Sequence, residues 1–495
     1  MNATTRYPTG RRLLAGAIPS LATAMLTACA VGPNFHHPDA PKTDHLTAQA
    51  SPATTVSTAV PGGEAQNFVA GGKLPTQWWT QFSSEPLNQR VDIALHGSPT
   101  VTSAQAALRQ AQENYRADFA RLLPSFDGSA SATREKVSGA QFGSSTPNIF
   151  SVFDASVNVS YGVDLFGGTR RVIEQQSAAI DYQRFELLAT YQTLVANVVT
   201  SSVQEASLRA QIAATKQIID QQEQQLGVVQ KQYDLGGAAY SDVLSARSNL
   251  ASVRATLPAL EQSLDQTRNR LAVYEGKLPS ELQASDLDLE QMKLPQDIPL
   301  SLPSELVKQR PDILVADAQL HQASAAIGIA TAEMLPQITI NGSYGTDATH
   351  TSDLFRDGIW SIGAGVTQPL LHFGELRAKR RAAVAAYDQA AAQYQQTVLL
   401  AFQNVADSLR ALDHDAQALQ SQYEADAAAQ ESLQLTQKRY DLGATSYLDL
   451  LTAQRQYQQA RINYVQSLAA RYQDTAALFQ ALGGSWDGLP ATASR

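Results

Sequence analysis

The sequence predicts a mainly α-helical protein with a membrane β part, made of two tandem structural repeats. A fifteen-residue motif that begins at Tyr233 recurs at Tyr440, and eight of its positions are identical. Two pairs of stretches alternate between apolar and polar residues, as strands do. Two stretches of about 65 residues contain no proline and are rich in Ala, Gln and Leu, as long helices are. Each repeat is therefore expected to be a β-hairpin followed by long antiparallel helices.

The repeat extends far beyond the motif. Phe166-Gly167 matches Phe373-Gly374 at a shift of 207 residues, and Leu123-Pro124 matches Leu335-Pro336 at a shift of 212. The chain is therefore a duplication, and the five-residue difference falls between Pro124 and Phe166, where a surface loop would absorb it.

Composition narrows the functional classes. The net charge is −9, the pI is about 5.4 and no Lys/Arg-rich run occurs, which argues against nucleic acid as a partner. The eight histidines are scattered, without metal-ligand spacing. Neither a nucleophile-elbow motif nor a phosphate-binding loop is present. We expect no catalysis, no metal and no cofactor.

The N-terminus has the pattern of a targeting segment. Arg11 and Arg12 precede an apolar stretch from Leu13 to Leu26, which ends in Leu-Thr-Ala-Cys29 with the only cysteine of the chain. This pattern resembles a bacterial lipoprotein signal, which implies diacylglycerol and fatty acyl groups such as palmitate on Cys29. The paired arginines also fit twin-arginine export, although the general pathway is preferred. Ala30 after the cysteine resembles outer-membrane cargo.

Between the cysteine and the folded part, the chain is rich in Pro, Ala, Thr, Ser and Gly and has no apolar period. This composition predicts an extended tether up to about Pro75. Trp78, Trp79 and Phe82 then begin the folded part. A helical period follows from about Pro86 to Leu122.

Two strand pairs follow from the alternation. The stretches are 125–135 and 151–165 in the first copy, and 337–347 and 359–368 in the second. Each has about ten residues or more, enough for a tilted strand to cross a bilayer. An antiparallel sheet on a soluble core is the commoner structure for such strands, but the acylated cysteine and the long polar hairpin tips favour a membrane. In lipid the sheet must close, which takes at least about eight strands, so the barrel must be shared between subunits.

The helices run outward and return. The outgoing stretches are 169–233 and 375–440, and the returning stretches are 242–274 and 449–482, with Pro258 expected to interrupt the first return helix. An outgoing helix would be roughly 100 Å long at 1.5 Å per residue. Small side chains allow such helices to pack closely and curve into a wall.

These features together resemble the outer-membrane factors of tripartite efflux systems, the TolC-like family, and within it the lipoprotein branch that serves resistance-nodulation-division pumps. The resemblance covers nearly the whole mature chain and rests on the following segments: Cys29-Ala-Val-Gly-Pro-Asn34, Trp78-Trp79 with Phe82, Asp164-Leu-Phe-Gly167, Gln309-Arg-Pro-Asp-Ile313, Ile327-Gly328, Leu335-Pro336 and the two Tyr-Asp-Leu-Gly motifs.

The resemblance implies a homotrimer with a shared 12-strand β-barrel in the Gram-negative outer membrane and an α-helical tunnel in the periplasm. It implies passive conduction of small molecules such as drugs, hence a part in multidrug resistance. The implied partners are outer-membrane lipid, a periplasmic adaptor and a resistance-nodulation-division transporter in the inner membrane. The expected divisions are a signal peptide (1–28), a lipidated tether (29–75), a first repeat (76–276), an inter-repeat equatorial segment (277–305), a second repeat (306–484) and a tail (485–495).

The motif positions then receive expected roles. Gly167 and Gly374 mark the change from strand to helix, and Gly236 and Gly443 permit the reversals at the periplasmic tips, near 234–241 and 441–448. By resemblance, Asp242, Asp449, Tyr233 and Tyr440 belong to the periplasmic aperture. The family's second acidic position is Ser245 in one copy and Thr452 in the other, which weakens any acidic ring.

Other roles for these residues remain open. Asp242 and Asp449 lie in first helical turns, where helix capping explains them as well as pore lining does, and Ser241 and Ser446 are candidate N-caps. The two tyrosines fit packing between helices equally well. An aromatic girdle and plain sheet packing explain three further aromatic residues equally: Tyr161, Tyr344 and Trp360.

Two other functions share part of the pattern. A structural periplasmic coiled-coil tether would also be long and lipidated, but it has no use for four alternating strands. A duct for type I protein secretion has the same fold, and the lipoprotein signal with Arg310-Pro311-Asp312 argues for the pump-linked branch instead.

Overall fold

The computed structural model describes residues 30–484, apart from 42, 44–45, 48–51, 73, 139, 141–142, 144 and 284–285. The predicted signal peptide, Cys29 and the tail lie outside the described residues. The described strands and α-helices are, in chain order, β1 (Asn67–Ala70), α1 (Glu85–Gly97), α2 (Pro99–Phe119), β2 (Ser125–Val137), β3 (Asn148–Val163), α3 (Gly168–Asp234), α4 (Tyr240–Tyr274), β4 (Asp297–Leu300), α5 (Pro303–Gln309), α6 (Pro311–Ala332), β5 (Gln337–Ala348), β6 (Gly358–Thr367), α7 (Glu375–Asp441) and α8 (Tyr447–Leu482). Among them, no helix is both long and apolar enough to cross a membrane.

The chain divides into two compact units. The first combines the residues up to Pro38 with Leu108–Gln183 and Ala316–Tyr394, and it contains strands β2, β3, β5 and β6. The second combines Asp39–Ala107, Arg184–Val315 and the residues from Gln395 onward. The helix tips and the short strands β1 and β4 belong to this second unit.

The two hairpins of the first unit have the same register. Ser125 pairs with Ser160 in the β2–β3 hairpin, and Gln337 pairs with Thr367 in the β5–β6 hairpin. Shifts of 212 and 207 residues convert the first pair into the second, so the duplication is confirmed at the level of single backbone pairs. Strands β3 and β5 also pair, and the antiparallel sheet has the order β2-β3-β5-β6.

The sheet has one apolar and one polar face, as the alternation predicts. On the apolar face Phe126, Tyr344 and Trp360 are 70%, 68% and 74% exposed. On the other face, short polar side chains bond across the strands: the hydroxyl groups of Ser129 and Ser156 are 2.9 Å apart. Among the described residues, the large aromatic side chains of the apolar face are therefore not covered by a protein core.

The long helices have the predicted lengths. The outgoing helices α3 and α7 each have 67 residues, and the returning helices α4 and α8 have 35 and 36. The prediction that Pro258 interrupts α4 is wrong, because the helix continues through it. Leu257 and Leu260 pack against α3 on either side of this proline, and this packing outweighs the lost backbone bond.

The single helix predicted from Pro86 to Leu122 is two helices. Helix α1 ends at Gly97, Ser98 takes an extended conformation with ψ of 123°, and α2 begins at Pro99. A residue before proline avoids the helical conformation because the proline ring clashes with it. The Ser98-Pro99 pair therefore bends the chain.

Most of the segment expected to be an extended tether, from Asp39 onward, belongs to the second unit and packs within it. Strand β1 pairs in parallel with β4, joining Asn67 to Asp297. Gln66 is buried, and its side-chain amide donates hydrogen bonds to Pro295 O and Thr475 Oγ1, both at 3.1 Å. These bonds use backbone groups and single side chains, so no apolar period in the sequence announces them.

An aromatic core begins where the sequence predicts the folded part to begin. Trp78 and Phe82 are 1% and 0% exposed, and both pack against Phe479 of α8. Tyr472 packs edge-on against Phe82 and donates a hydrogen bond to Met292 O at 2.9 Å. The first and last helical parts of the second unit thus share one core.

Candidate functional site

Both helix tips end in the same turn. At the end of α3, Gly237 N donates to Gln232 O at 2.7 Å and Gly236 N donates to Tyr233 O at 2.9 Å. This pair of bonds is a Schellman motif, which requires a left-handed residue, and Gly236 has φ of 80°. At the end of α7, Gly443 has φ of 70° and the same pair of bonds forms. Both glycines thus lie at the left-handed position of a helix-ending turn.

The residues after each turn begin the returning helices in unequal ways. Ser446 is the N-cap of α8: its hydroxyl accepts a bond from Asp449 N at 3.2 Å. In return, the Asp449 carboxylate accepts bonds from Ser446 N at 3.1 Å, Ser446 Oγ at 2.6 Å and Thr445 Oγ1 at 2.8 Å. This is a capping box, and these hydrogen bonds, those from Ser446 first, lower the pKa of Asp449.

The first-copy tip lacks the serine cap. The N-cap of α4 is Ala239, so the prediction that Ser241 caps this helix is wrong, and Ser241 lies within the first turn. Asp242 still accepts a bond from Ala239 N, at 3.3 Å. One half of the capping box is therefore missing, because an alanine side chain cannot accept a hydrogen bond. Asp242 is held by fewer bonds than Asp449.

The two predicted aperture tyrosines differ in their contacts. Tyr440 donates a hydrogen bond from its hydroxyl to Gln232 Oε1 at 2.8 Å, and this bond joins α7 to α3. Tyr233 is 40% exposed and its ring lies 5.4 Å from that of Tyr240. Burial raises the pKa of Tyr440, and the nearby charge of Asp242 adds to the increase. Tyr440 and Asp242 belong to different repeats, and they lie close enough for the charge of Asp242 to affect the pKa of Tyr440.

An apolar cluster holds the two tips together. Val229, Val243 and Leu450 are each 0% exposed and form one cluster with Ala246 and Tyr447. The cluster draws from α3, α4 and α8, and Tyr440 and Leu433 of α7 pack against it. Burial raises the pKa of Tyr447 to about 12.

A second polar bond between the copies lies further along the returning helices. Arg455 Nε donates to Asn249 Oδ1 at 2.8 Å, and Asn249 is 2% exposed. Sequence reasoning missed Gln232, Asn249 and Arg455. No repeat signal identifies them, because shifts of 207 residues take Gln232 to Arg439 and Asn249 to Gln456.

Each turn contains a highly exposed leucine. Leu235 and Leu442 occupy equivalent positions and are 88% and 83% exposed. A lone exposed leucine is common on protein surfaces. The same exposure at the two ends of adjoining hairpins gives a pair of apolar points beside the aperture residues.

The other two predicted glycines lie where strands change to helices. Gly167 and Gly374 have φ of 75° and 90°, so both positions need the conformational freedom of glycine. A Cβ on Gly167 would lie 2.5 Å from that of Ala30, so the start of the described chain passes directly over this turn. Cys29 itself lies outside the described residues.

A strap of residues 30–38 continues from this point along the first unit. Val31 N donates to Phe166 O at 3.0 Å, and Arg171, 3% exposed, donates to Val31 O and Asn34 Oδ1 at 3.0 and 2.9 Å. Phe35 then stacks on His321, with ring centroids 4.3 Å apart. The residue that follows Cys29 is thereby held beside the end of β3.

Comparison with known proteins gives a consistent picture. The sequence profile of the family described as outer membrane efflux protein matches residues 91–277 and 302–484. The pyoverdine export outer membrane protein OpmQ of Pseudomonas aeruginosa is 31% identical over 416 residues, covering 83% of this chain and 87% of that protein. The toluene efflux pump outer membrane protein TtgF of Pseudomonas putida is 27% identical over 417 residues, covering 80% and 82%. The solved structure of the outer-membrane channel OprN superposes with a TM-score of 0.82 at 27% identity, covering 92% of this chain and all of that one.

Proposed function

Because the chain belongs to the outer membrane efflux protein family and is therefore an outer-membrane efflux duct, we propose that it works as a lipid-anchored homotrimer. In this proposal three subunits share a 12-strand barrel and continue as a periplasmic helical tunnel. An inner-membrane resistance-nodulation-division transporter supplies the energy, and a periplasmic adaptor joins the two. The duct itself conducts passively.

One observation carries the proposal: the membrane-type sheet is incomplete in a single chain. It has four strands, and β2 and β6 form its edges. An edge strand in lipid would leave backbone groups without hydrogen-bond partners, which costs several kcal/mol for each group. Pairing the β6 edge of one subunit with the β2 edge of the next removes every edge, and three subunits supply twelve strands.

The N-terminal strap supports the lipid anchor. Ala30 lies against Gly167, one residue past a predicted acylation site and beside the end of β3. Acyl chains on Cys29 would therefore leave the protein at the level where strands give way to helices. That level is the bilayer surface if the sheet spans the membrane. The positions of the strap and of the sheet are thus mutually consistent.

The tip geometry supports an aperture that is held closed by contacts between the two repeats of each chain. The Tyr440–Gln232 and Arg455–Asn249 bonds both join first-copy helices to second-copy helices. Asp242 and Asp449 follow the turns, and threefold assembly would bring six carboxylates to one level. Such a ring favours cations through its local field, in addition to any capping role. The exposed Leu235 and Leu442 are the points that an adaptor hairpin would contact when it opens the aperture.

Cargo choice belongs to the pump in this proposal. Relatives of similar identity are named for pyoverdine export and for toluene efflux, which are chemically unlike cargoes. The residues of the tip discriminate by charge, not by the shape of a cargo. We therefore assign the duct a broad range of small molecules.

The experiment is single-channel conductance of the purified protein in a planar bilayer. The wild type should conduct weakly and prefer cations. Asp242→Asn/Asp449→Asn should lose the preference, because the amide removes the charge and can still accept hydrogen bonds at the helix start. Ser446→Ala is the matched control, since it breaks the cap of α8 and leaves both carboxylates. Equal selectivity in wild type and double mutant would restrict the aspartates to capping, and a correctly assembled protein without conductance would contradict the duct.

A further inference from the structure

The apolar face of the sheet carries two grooves toward the strand ends that lie away from the long helices. The first, which we call the chain groove, measures about 650 Å³ and is lined mainly by small and apolar residues: Gly128, Ala130, Ala155, Val157 and Tyr344. The second, the rim groove, measures about 540 Å³ and lies nearer the strand ends. Both volumes are typical of ligand-binding clefts, which measure about 300–1,000 Å³.

The strand register shows that both grooves lie on one face. Directly opposite residues of an antiparallel pair extend from the same side of the sheet. Val157 lies opposite Tyr344, Tyr344 lies opposite Trp360, and Arg134 lies opposite Ser151, an even number of residues from Val157. Arg134 therefore extends from the same face as the exposed aromatic side chains. In the proposed barrel this face contacts lipid.

The loop between β5 and β6 folds toward this face. We call residues 349–357 the rim loop. Thr346, on the apolar face, donates a hydrogen bond from its hydroxyl group to Leu354 O at 2.6 Å. The loop thereby brings Phe355 and Arg356 to the chain groove, so that a cation lies at the end of an otherwise apolar surface.

The rim groove combines cations with hydroxyl groups. Arg134 and His350 line it together with four hydroxyl side chains: Ser151, Thr349, Thr351 and Ser352. Guanidinium and hydroxyl groups both donate hydrogen bonds to phosphate oxygens, and the bonds from arginine are the strong, charge-assisted kind. The rim groove therefore has the chemistry of a phosphate site.

The cations of this region have no acidic partners. Arg134, Arg356 and the neighbouring Lys136 form no ion pair with any residue that the structure describes. The two carboxylates of the rim loop, Asp353 and Asp357, line neither groove. Basic groups placed at a membrane surface attract anionic lipid headgroups.

Arg134 also lies at the right height for a headgroup. It follows Ser125, at the start of β2, by nine residues, and nine residues of a strand tilted by about 40° rise roughly 23 Å. The apolar band of a membrane barrel is about 25 Å tall. A charge on the lipid-facing side is costly in the middle of this band and tolerated at its edge. The rim groove is therefore level with the outer surface of the bilayer.

We propose that the two grooves form one binding site for a phosphorylated glycolipid of the outer leaflet. A phosphate group contacts Arg134 and the hydroxyl groups of the rim groove, an acyl chain lies along Tyr344 in the chain groove, and Arg356 supplies a second cation. The inference rests on the proposed membrane orientation of the sheet and goes beyond conduction. A zwitterionic phospholipid carries no net charge, whereas a diphosphorylated glycolipid is anionic and presents sugar hydroxyl groups, so charge and hydrogen bonding both favour the glycolipid.

Binding of diphosphoryl lipid A to the detergent-solubilised full-length protein tests the headgroup contacts, with native mass spectrometry as the readout. Wild type should bind diphosphoryl lipid A in preference to phosphatidylglycerol. Arg134→Gln/Arg356→Gln should weaken binding by about tenfold for each arginine, because each loses a charge-assisted contact to phosphate. The matched control is Arg377→Gln/Arg381→Gln, which removes two exposed arginines of α7 and should bind as wild type does.

The chain groove has its own test. Ala130→Phe fills this groove and should weaken binding of diphosphoryl lipid A while all the cations remain. Ala364→Phe is the control, because Ala364 lies on the same face, opposite Ile340, and outside both grooves. Both alanines are exposed, so the larger side chains can be accommodated without disturbing the fold.

Equal binding by wild type and Arg134→Gln/Arg356→Gln would overturn the site. Tighter binding of phosphatidylglycerol than of diphosphoryl lipid A would overturn the choice of a glycolipid. Single-channel conductance of the same samples separates this inference from the proposed function. Normal conductance without lipid preference would remove the site and leave the duct, whereas lipid binding without conductance would contradict the duct and leave the site.

Discussion

The hydroxyl group of Tyr440 donates a hydrogen bond to the side-chain oxygen of Gln232, and this single bond ties the last turns of the two outgoing helices together. We expect Tyr440→Phe to weaken the closed tip by about 1 kcal/mol, the usual net value of one such bond. The measurement is single-channel conductance, which should increase and fluctuate more. Tyr233→Phe removes the equivalent hydroxyl group from the partly exposed first-copy ring and should change little. Equal effects of the two changes would contradict a specific role for Tyr440.

The partly buried carboxyl group of Asp415 gives a prediction about pH. Burial and the neighbouring Asp474 raise its pKa from the ordinary 3.8 to about 8. The folded chain therefore binds this proton more tightly than the unfolded chain, so the contribution to stability is complete below about pH 4 and is lost as pH rises to about 8. Thermal unfolding in detergent should show the folded state becoming less stable across this range.

Asp415→Asn removes that titration. The variant should be more stable than wild type at about pH 8 and should lose less stability between about pH 5 and 8, since an amide carries no charge. Asp413→Asn, two residues away on α7, controls for the added amide. If the stability of wild type and of Asp415→Asn changed with pH in parallel, Asp415 and Asp474 would not share a proton in the folded chain.

Glu205 gives a prediction about the free energy of unfolding. It is 1% exposed and accepts bonds from Arg90 NH1 at 2.6 Å and Arg268 Nε at 2.9 Å. Glu205→Gln removes one of the two buried carboxylates that pair with Arg90, while Glu275 remains 3.2 Å from Arg90 Nε, and the expected loss is roughly 1.5–3 kcal/mol. The exposed pair of Glu223 with Arg254 supplies the control, because Glu223→Gln should cost less than about 1 kcal/mol. The measurement is the chemical denaturation midpoint of each variant compared with wild type. Equal losses for Glu205→Gln and Glu223→Gln would contradict the prediction.

Two glycines, one inside α3 and one in the turn that follows it, should respond to substitution by alanine in opposite directions. Gly236→Ala forces a side chain into the left-handed conformation at the turn and should destabilise the tip by about 1–2 kcal/mol. Gly227→Ala lies in the helix interior with open space around it and should stabilise α3 by about 0.5–1 kcal/mol. Hydrogen exchange of tip amides is the suitable measurement, since local opening precedes global unfolding. Faster exchange in both variants would contradict the assignment.

The parts of the fold that the sequence predicts are those set by local periodicity. The strand pairs, the 67-residue helices and the glycine turns follow from alternation, missing prolines and the repeated motif. Pro258 and Ser98 show the limits. Packing keeps α4 helical through a proline, whereas a proline at the start of α2 bends a stretch whose apolar period runs on. Both outcomes depend on neighbours that the local pattern does not contain.

The site was predictable where the two copies agree or where local capping chemistry applies. The repeated motif identifies the glycines and the two aspartates, and Ser446 follows from capping chemistry alone, because its repeat counterpart is Ala239. The Tyr440–Gln232 and Arg455–Asn249 bonds join residues more than 200 positions apart that are not repeat equivalents. The alanine cap of α4 equally has no sequence signal. Such contacts depend on how the helices are rotated against each other, which the period alone does not determine.

The bond between Gln66 and Thr475 has a consequence for the order in which the chain folds. It spans 409 residues, and Arg471 donates to Thr55 Oγ1 across 416. Contacts of such high contact order form slowly, because a long loop must close before they contribute. During synthesis the N-terminal segment of the second unit cannot form these contacts until the last helix has been made. Its packing is therefore a late event in biogenesis and comes after the rest of the chain has emerged.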